Sequence, residues 1–154
     1  MNSKLYTDAF DSKYWVWGSD DTAPRFLHTM IRVRDFEAAL RFYIEGLGMH
    51  VLDRFDIPAR RVTALFIGFG DYGSGGLLEL THIWDVDSYT HGTGYGHISI
   101  GAPDLAATVA KLEAMGTEIT LRPTVYYEGG PAIAFVKDPD GYSIELVQTS
   151  RRNA

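Results

Sequence analysis

The sequence predicts an α+β fold of two βαβββ modules, each with a curled, antiparallel-rich sheet, and three observations carry that prediction. The chain repeats itself: FLHTMIRVRDFEAALRFYIEGLGM (26–49) aligns with YGHISIGAPDLAATVAKLEAMGTE (95–118), placing His28 over His97. The periodicity runs in the same order in both halves, first alternating, then helical, then alternating again. Each half also carries a glutamate inside its last apolar strand, Glu79 in LLELTHI and Glu145 in YSIELVQ.

Each element follows from local pattern. In HTMIRV the side chains of His28, Met30 and Arg32 share one face and Thr29, Ile31 and Val33 the other, so the histidine begins a strand. His97 begins HISI in the same way and shares its face with Ser99. Asp35 and Asp104, each seven residues past its histidine, stand where a helix N-cap belongs. The spacing of Phe36, Ala39, Leu40 and Tyr43, and of Leu105, Val109 and Leu112, then fits amphipathic helices that Gly48 and Gly116 close. Strand-like segments follow: MHVLDRF, RVTALFIGF and LLELTHI in the first half, EITLR, AIAFVK and YSIELVQ in the second. DPDG at 138–141 supplies a tight turn before the last strand. The domain organisation is therefore an aromatic N-terminal arm (1–24, with Tyr14, Trp15 and Trp17), a first module (25–90) and a second (91–154).

Bulk properties exclude several classes of function. The 154 residues carry a formal net charge of −6 with Lys and Arg scattered, which argues against nucleic acid or an anionic membrane as partner. There is no cysteine, hence no disulfide framework, thiolate metal site or cysteine nucleophile. Neither a signal peptide nor a membrane-spanning apolar run is evident, so the expected location is cytoplasmic. GFGDYG (68–73) fits GxGxxG formally, but a strand follows it, so a hairpin loop is the reading. GTGYGH (92–97) reads as a flexible link between modules.

The glutamates are the chemical anomaly. Leu77, Leu78 and Leu80 mark a buried strand, and an unpaired carboxylate costs several kcal/mol or more to dehydrate there. By alternation Glu79 shares its face with Leu77 and Thr81, and Glu145 with Ser143 and Val147, the more polar side of each strand. The His-to-Glu separation is 51 residues in the first half and 48 in the second. A lone strand-end histidine or strand glutamate is ordinarily a partly exposed residue, but the same pair recurs at the same module positions. Two imidazoles and two carboxylates, His28, Glu79, His97 and Glu145, form a donor set for a borderline divalent cation such as Ni²⁺, Zn²⁺, Co²⁺ or Fe²⁺. His50, His82 and His91 have no such repeat partners and are read as surface or supporting residues.

LHTMIRV, GLGM, LLELTH, GYGHISI and AFVKDPDGYSIELV together resemble glyoxalase I, within the vicinal oxygen chelate superfamily, over about residues 26–149. The resemblance implies that His28, Glu79, His97 and Glu145 are the metal ligands. It also implies a homodimer with active sites between subunits, each combining one chain's His28 and Glu79 with the other's His97 and Glu145. The short GFGDYGSGG connection resembles the compact branch that works best with Ni²⁺ or Co²⁺ rather than Zn²⁺. The implied activity is isomerisation of the methylglyoxal–glutathione hemithioacetal to S-lactoylglutathione, with Glu145 moving the proton, Glu79 as second acid/base candidate, and Arg32 holding a glutathione carboxylate. The sequence departs from the family at Ile83, where an Asn that helps hold glutathione is usual, and at Glu128 in VYYEGGPAIAF. Those departures keep alternatives open: a related epimerase or isomerase acting on another substrate or thiol, or a non-enzymatic ligand-binding module.

Overall fold

The computed structural model describes residues 24, 26–70 and 76–150, so the aromatic arm lies outside the described residues except at position 24. Two compact units are present, Met1–Glu37 with Tyr43–Tyr89 and Ala38–Phe42 with Thr90–Ala154. In chain order the elements are β1 (His28–Arg32), α1 (Phe36–Leu40, continued by a π-helical stretch Arg41–Gly46), β2 (His50–Ile57), β3 (Val62–Gly68) and β4 (Leu77–Ile83). The same series then recurs as β5 (His97–Ala102), α2 (Leu105–Ala114), β6 (Ile119–Val125), β7 (Ala132–Lys137) and β8 (Ser143–Gln148). The strand orders are β1-β4-β3-β2 and β5-β8-β7-β6. In each sheet the first strand lies parallel to the last and the other two pairings are antiparallel. The α+β, doubled βαβββ architecture expected from the repeat is the one observed.

The helix termini behave as the two aspartates predict. Asp35 Oδ1 accepts from the Glu37 backbone N–H at 2.8 Å, and Asp104 Oδ1 accepts from that of Ala107 at 2.9 Å. Each satisfies a donor that the first turn leaves without an intrahelical partner. Gly48 and Gly116 take φ of +83° and +86°, the left-handed conformation that glycine adopts without a Cβ penalty. Helix α2 buries Leu105, Val109 and Leu112. The first helix departs from the uniform α-helix its spacing predicts: it widens at Arg41, and the Tyr43 carbonyl accepts from Met49 N.

At the turn before β8, the buried Asp138 carboxylate accepts from the N–H groups of Asp140 (3.0 Å) and Tyr142 (2.8 Å). GFGDYG does join two antiparallel neighbours, β3 and β4, although 71–75 lie outside the described residues. Leu65, Ile67, Leu78 and Leu80 in the first sheet, and Val136, Ile144 and Leu146 in the second, are buried. These aliphatic residues of the last two strands supply a large share of each unit's apolar burial.

Candidate metal centre

The parallel pairing of first and last strands sets the site. In the first sheet His28 stands opposite Leu77, and Glu79 is two residues further along β4. In the second, His97 stands opposite Ser143, and Glu145 is two residues further along β8. Side chains two apart on a strand share a face, so each glutamate leans back towards its histidine. His28 Nε2 lies 3.0 Å from Glu79 Oε2, and His97 Nε2 lies 3.4 Å from Glu145 Oε2. Both glutamate side chains keep 19% exposure; those of the histidines keep 28% and 43%. All four sequence candidates are thus strand residues and meet as two equivalent pairs.

The donor chemistry fits a divalent cation. Nitrogen and oxygen ligands bond such an ion at about 2.0–2.2 Å, and adjacent ligands then stand about 3.0–3.4 Å apart. The observed separations fall at the two ends of that interval. Among the described residues no three His, Cys, Asp or Glu side chains gather at one place.

Each imidazole is braced by a phenylalanine. Phe66 is paired with Glu79 across β3–β4, and its ring meets His28 edge-on with centroids 5.2 Å apart. Phe135 is paired with Glu145 across β7–β8 and meets His97 in the same way at 5.3 Å. The sequence held a signal for both: His28 to Phe66 and His97 to Phe135 are each 38 residues. The three-residue difference in His-to-Glu spacing therefore lies wholly between the phenylalanine and the glutamate. Phe66 also joins Leu52, Ala64 and Leu77 in a cluster against which Phe55 packs.

The two carboxylates differ in their other contacts. Thr81 Oγ1 donates to Glu79 Oε1 at 2.8 Å, so both oxygens of Glu79 are engaged. Val147 holds the position equivalent to Thr81, opposite Gly101 as Thr81 is opposite Arg32. The first sheet's site face is also less exposed than alternation alone suggests, since Leu77 and Thr81 flanking Glu79 are 7% and 8% exposed.

Three further positions of interest are also placed. Arg32 ends β1 on the His28 face, its guanidinium carbon 5.9 Å from the centre of the Tyr89 ring. Ile83 ends β4 and alternates onto the face of Glu79 and Thr81. Glu128 is exposed in the turn between β6 and β7. His82, read as lacking a repeat partner, has a positional one in Gln148, three residues beyond Glu145 as His82 is beyond Glu79. His82 Nδ1 lies 3.0 Å from the Val33 carbonyl. Gln148 accepts from Leu105 N at 2.8 Å and donates to Pro103 O at 2.7 Å. Both residues anchor the connection from first strand to helix.

Residues 25–146 match the family model of the Glyoxalase/Bleomycin resistance protein/Dioxygenase superfamily. A probable lactoylglutathione lyase of Synechocystis is 44% identical over 126 residues, which cover 82% of this chain and 96% of the relative. The trypanothione-dependent glyoxalase I of Leishmania major has a similar structure, with TM-score 0.73 and 43% identity over 82% of this chain and 87% of that one. The glyoxalase I of Zea mays superposes with TM-score 0.78 at 37% identity over 82% of this chain; the match spans 45%, under half, of the maize chain.

Proposed function

The chain belongs to the Glyoxalase/Bleomycin resistance protein/Dioxygenase superfamily, and we propose that it is a lactoylglutathione lyase that isomerises the methylglyoxal–glutathione hemithioacetal to S-lactoylglutathione. The observation that carries this reading is the recurrence of one His–Glu pair in identical strand register in both units.

The reaction moves a proton from C1 to C2 of the adduct. A C–H beside a carbonyl is a weak acid, so charge on two neighbouring oxygens must be stabilised while a base holds the proton. His28, Glu79, His97 and Glu145 would hold a divalent ion, which would supply that stabilisation as a Lewis acid. Glu145 removes the proton from C1 and returns it to C2; Glu79 stays with its two partners and is the second acid/base candidate. No nucleophile is required, which suits a chain without cysteine.

On the family resemblance we assign the four ligands to a homodimer, with His28 and Glu79 of one subunit joined by His97 and Glu145 of the other. The resemblance of the short GFGDYGSGG connection to the family's compact branch supports Ni²⁺ or Co²⁺ over Zn²⁺, and the expected compartment is the cytoplasm. No helix among the described residues is long and apolar enough to cross a membrane. Ile83 on the Glu79 face favours a second reading, in which the same isomerisation acts on an adduct of another thiol.

The test is apo-protein reconstituted separately with Ni²⁺, Co²⁺ and Zn²⁺ and assayed for thioester formation from methylglyoxal and glutathione. Metal-loaded protein that forms no thioester would sink the assignment. Saturable glutathione binding would count against the second reading.

A further inference from the structure

We infer that Thr81 is a positioning residue that makes the two glutamates unequal: its hydroxyl pins Glu79 as the fixed carboxylate, while Val147, lacking that hydroxyl, leaves Glu145 able to swing. The inference rests on the proposed isomerase reading and deepens it. Glu79 Oε2 faces His28 Nε2 at 3.0 Å and Glu79 Oε1 accepts from Thr81 at 2.8 Å. Rotation about the last side-chain bond breaks one contact or both. Glu145 Oε2 faces His97 Nε2 at 3.4 Å, and among the described residues no hydrogen bond to Glu145 Oε1 is present. The two environments share the same parallel register, the same phenylalanine directly across and the same edge-on ring against the histidine, and they also differ two residues before each glutamate, where Leu77 stands in one and Ser143 in the other.

Thr81 and Val147 are near-isosteres, so at this position the halves differ by one hydroxyl in place of one methyl. A carboxylate that returns a proton to the neighbouring carbon must reach two positions, and one held at both oxygens cannot. The pattern LLELT against YSIELV thus encodes which half carries the moving group.

The test exchanges the hydroxyl between the halves. Groups that orient a metal ligand are worth about 10–100-fold in metal affinity. Thr81→Val is expected to lower Ni²⁺ affinity by about tenfold, read by calorimetric titration of the apo-protein without substrate, and Thr81→Ser is expected to restore it. Val147→Thr is expected to hold Glu145 in place, raising Ni²⁺ affinity while lowering kcat by about tenfold at unchanged KM. In a Glu145→Gln background, Thr81→Val is expected to raise residual turnover by freeing Glu79. Unchanged metal affinity in Thr81→Val, or unchanged kcat in Val147→Thr, would overturn the inference. If Thr81→Val fails to fold, Val147→Thr still decides the question. Since the titration uses no substrate, a wild-type protein that makes no thioester would count against the function and not against the tether.

Discussion

The Phe66 ring stands edge-on to the His28 imidazole, centroids 5.2 Å apart and planes at 81°, while Phe66 itself is 4% exposed. It has two roles, filling the Leu52–Ala64–Leu77 cluster and limiting the histidine's rotation. Substitutions can separate them. Phe66→Ala is expected to cost about 3–5 kcal/mol of stability. Phe66→Leu keeps most of the apolar volume and is expected to cost less than about 1.5 kcal/mol. It removes the ring edge from the imidazole face, so metal affinity is expected to fall several-fold at nearly constant stability. Urea denaturation and calorimetric metal titration read the two effects apart; an unchanged affinity in Phe66→Leu would leave the ring with a packing role alone.

What the sequence disclosed and what it hid follow from the range of each interaction. Asp35, Asp104, Gly48 and Gly116 act within one helical turn, so their residue types declare them, and the two histidines and two glutamates stood out as polar residues in apolar strands. Phe66 and Phe135 did not, because an aromatic in a buried strand is ordinary until the equal 38-residue spacing is noticed. His82 and Gln148 hid for the opposite reason: one task, bracing the connection into the helix, is done by two different chemistries. The burial of Leu77 depends on packing from β2 and β3, which alternation along β4 alone does not register.

Gln148 satisfies three backbone groups from one buried amide, accepting from Leu105 N and donating to Pro103 O and Ser150 O. Gln148→Leu preserves size while leaving the Leu105 N–H and the Pro103 carbonyl without this partner. At about 1–3 kcal/mol for the stranded buried Leu105 N–H, and with water able to reach the carbonyl of the exposed Pro103, the expected loss is about 1–3 kcal/mol. The shift in urea midpoint at constant m value measures it. A loss under about 1 kcal/mol would mean that water replaces the amide.

Asp56 predicts a pH dependence of stability. Its carboxylate accepts from Arg54 and from Thr63, whose hydroxyl also accepts from Trp84 Nε1. The hydrogen bond from Arg54, followed by that from Thr63, holds its pKa below the ordinary carboxylate value. A depressed folded pKa contributes stability that is fully present above the unfolded value, about pH 4, and is lost as pH falls through the folded one. With the Asp56 side chain 48% exposed, the contribution is expected to stay below about 1 kcal/mol. Asp56→Asn should therefore be slightly less stable than wild type at pH 7, with the gap closing on acidification below pH 4. A constant gap across that range would assign the effect to packing rather than charge.

Arg32 and Ile83 define the last prediction, on the proposed thiol side of the site. Arg32 is paired with Thr81 in the β1–β4 register, and Ile83 lies two residues beyond Thr81 on the same face. The guanidinium offers a planar fork to a carboxylate, and lysine offers a point charge. Arg32→Lys is therefore expected to raise KM for the glutathione adduct by about tenfold with kcat unchanged, the signature of lost uniform binding. Ile83→Asn places an amide where the chain now offers only a sec-butyl group. One added hydrogen bond to a polar peptide is worth about 0.5–1.5 kcal/mol, so KM for the glutathione adduct is expected to drop by about 2–10-fold. Steady-state kinetics of both variants with the same adduct give the answer. A lowered KM in Ile83→Asn alongside a raised one in Arg32→Lys would place glutathione along this end of the first sheet, whereas indifference to both would transfer weight to a different thiol.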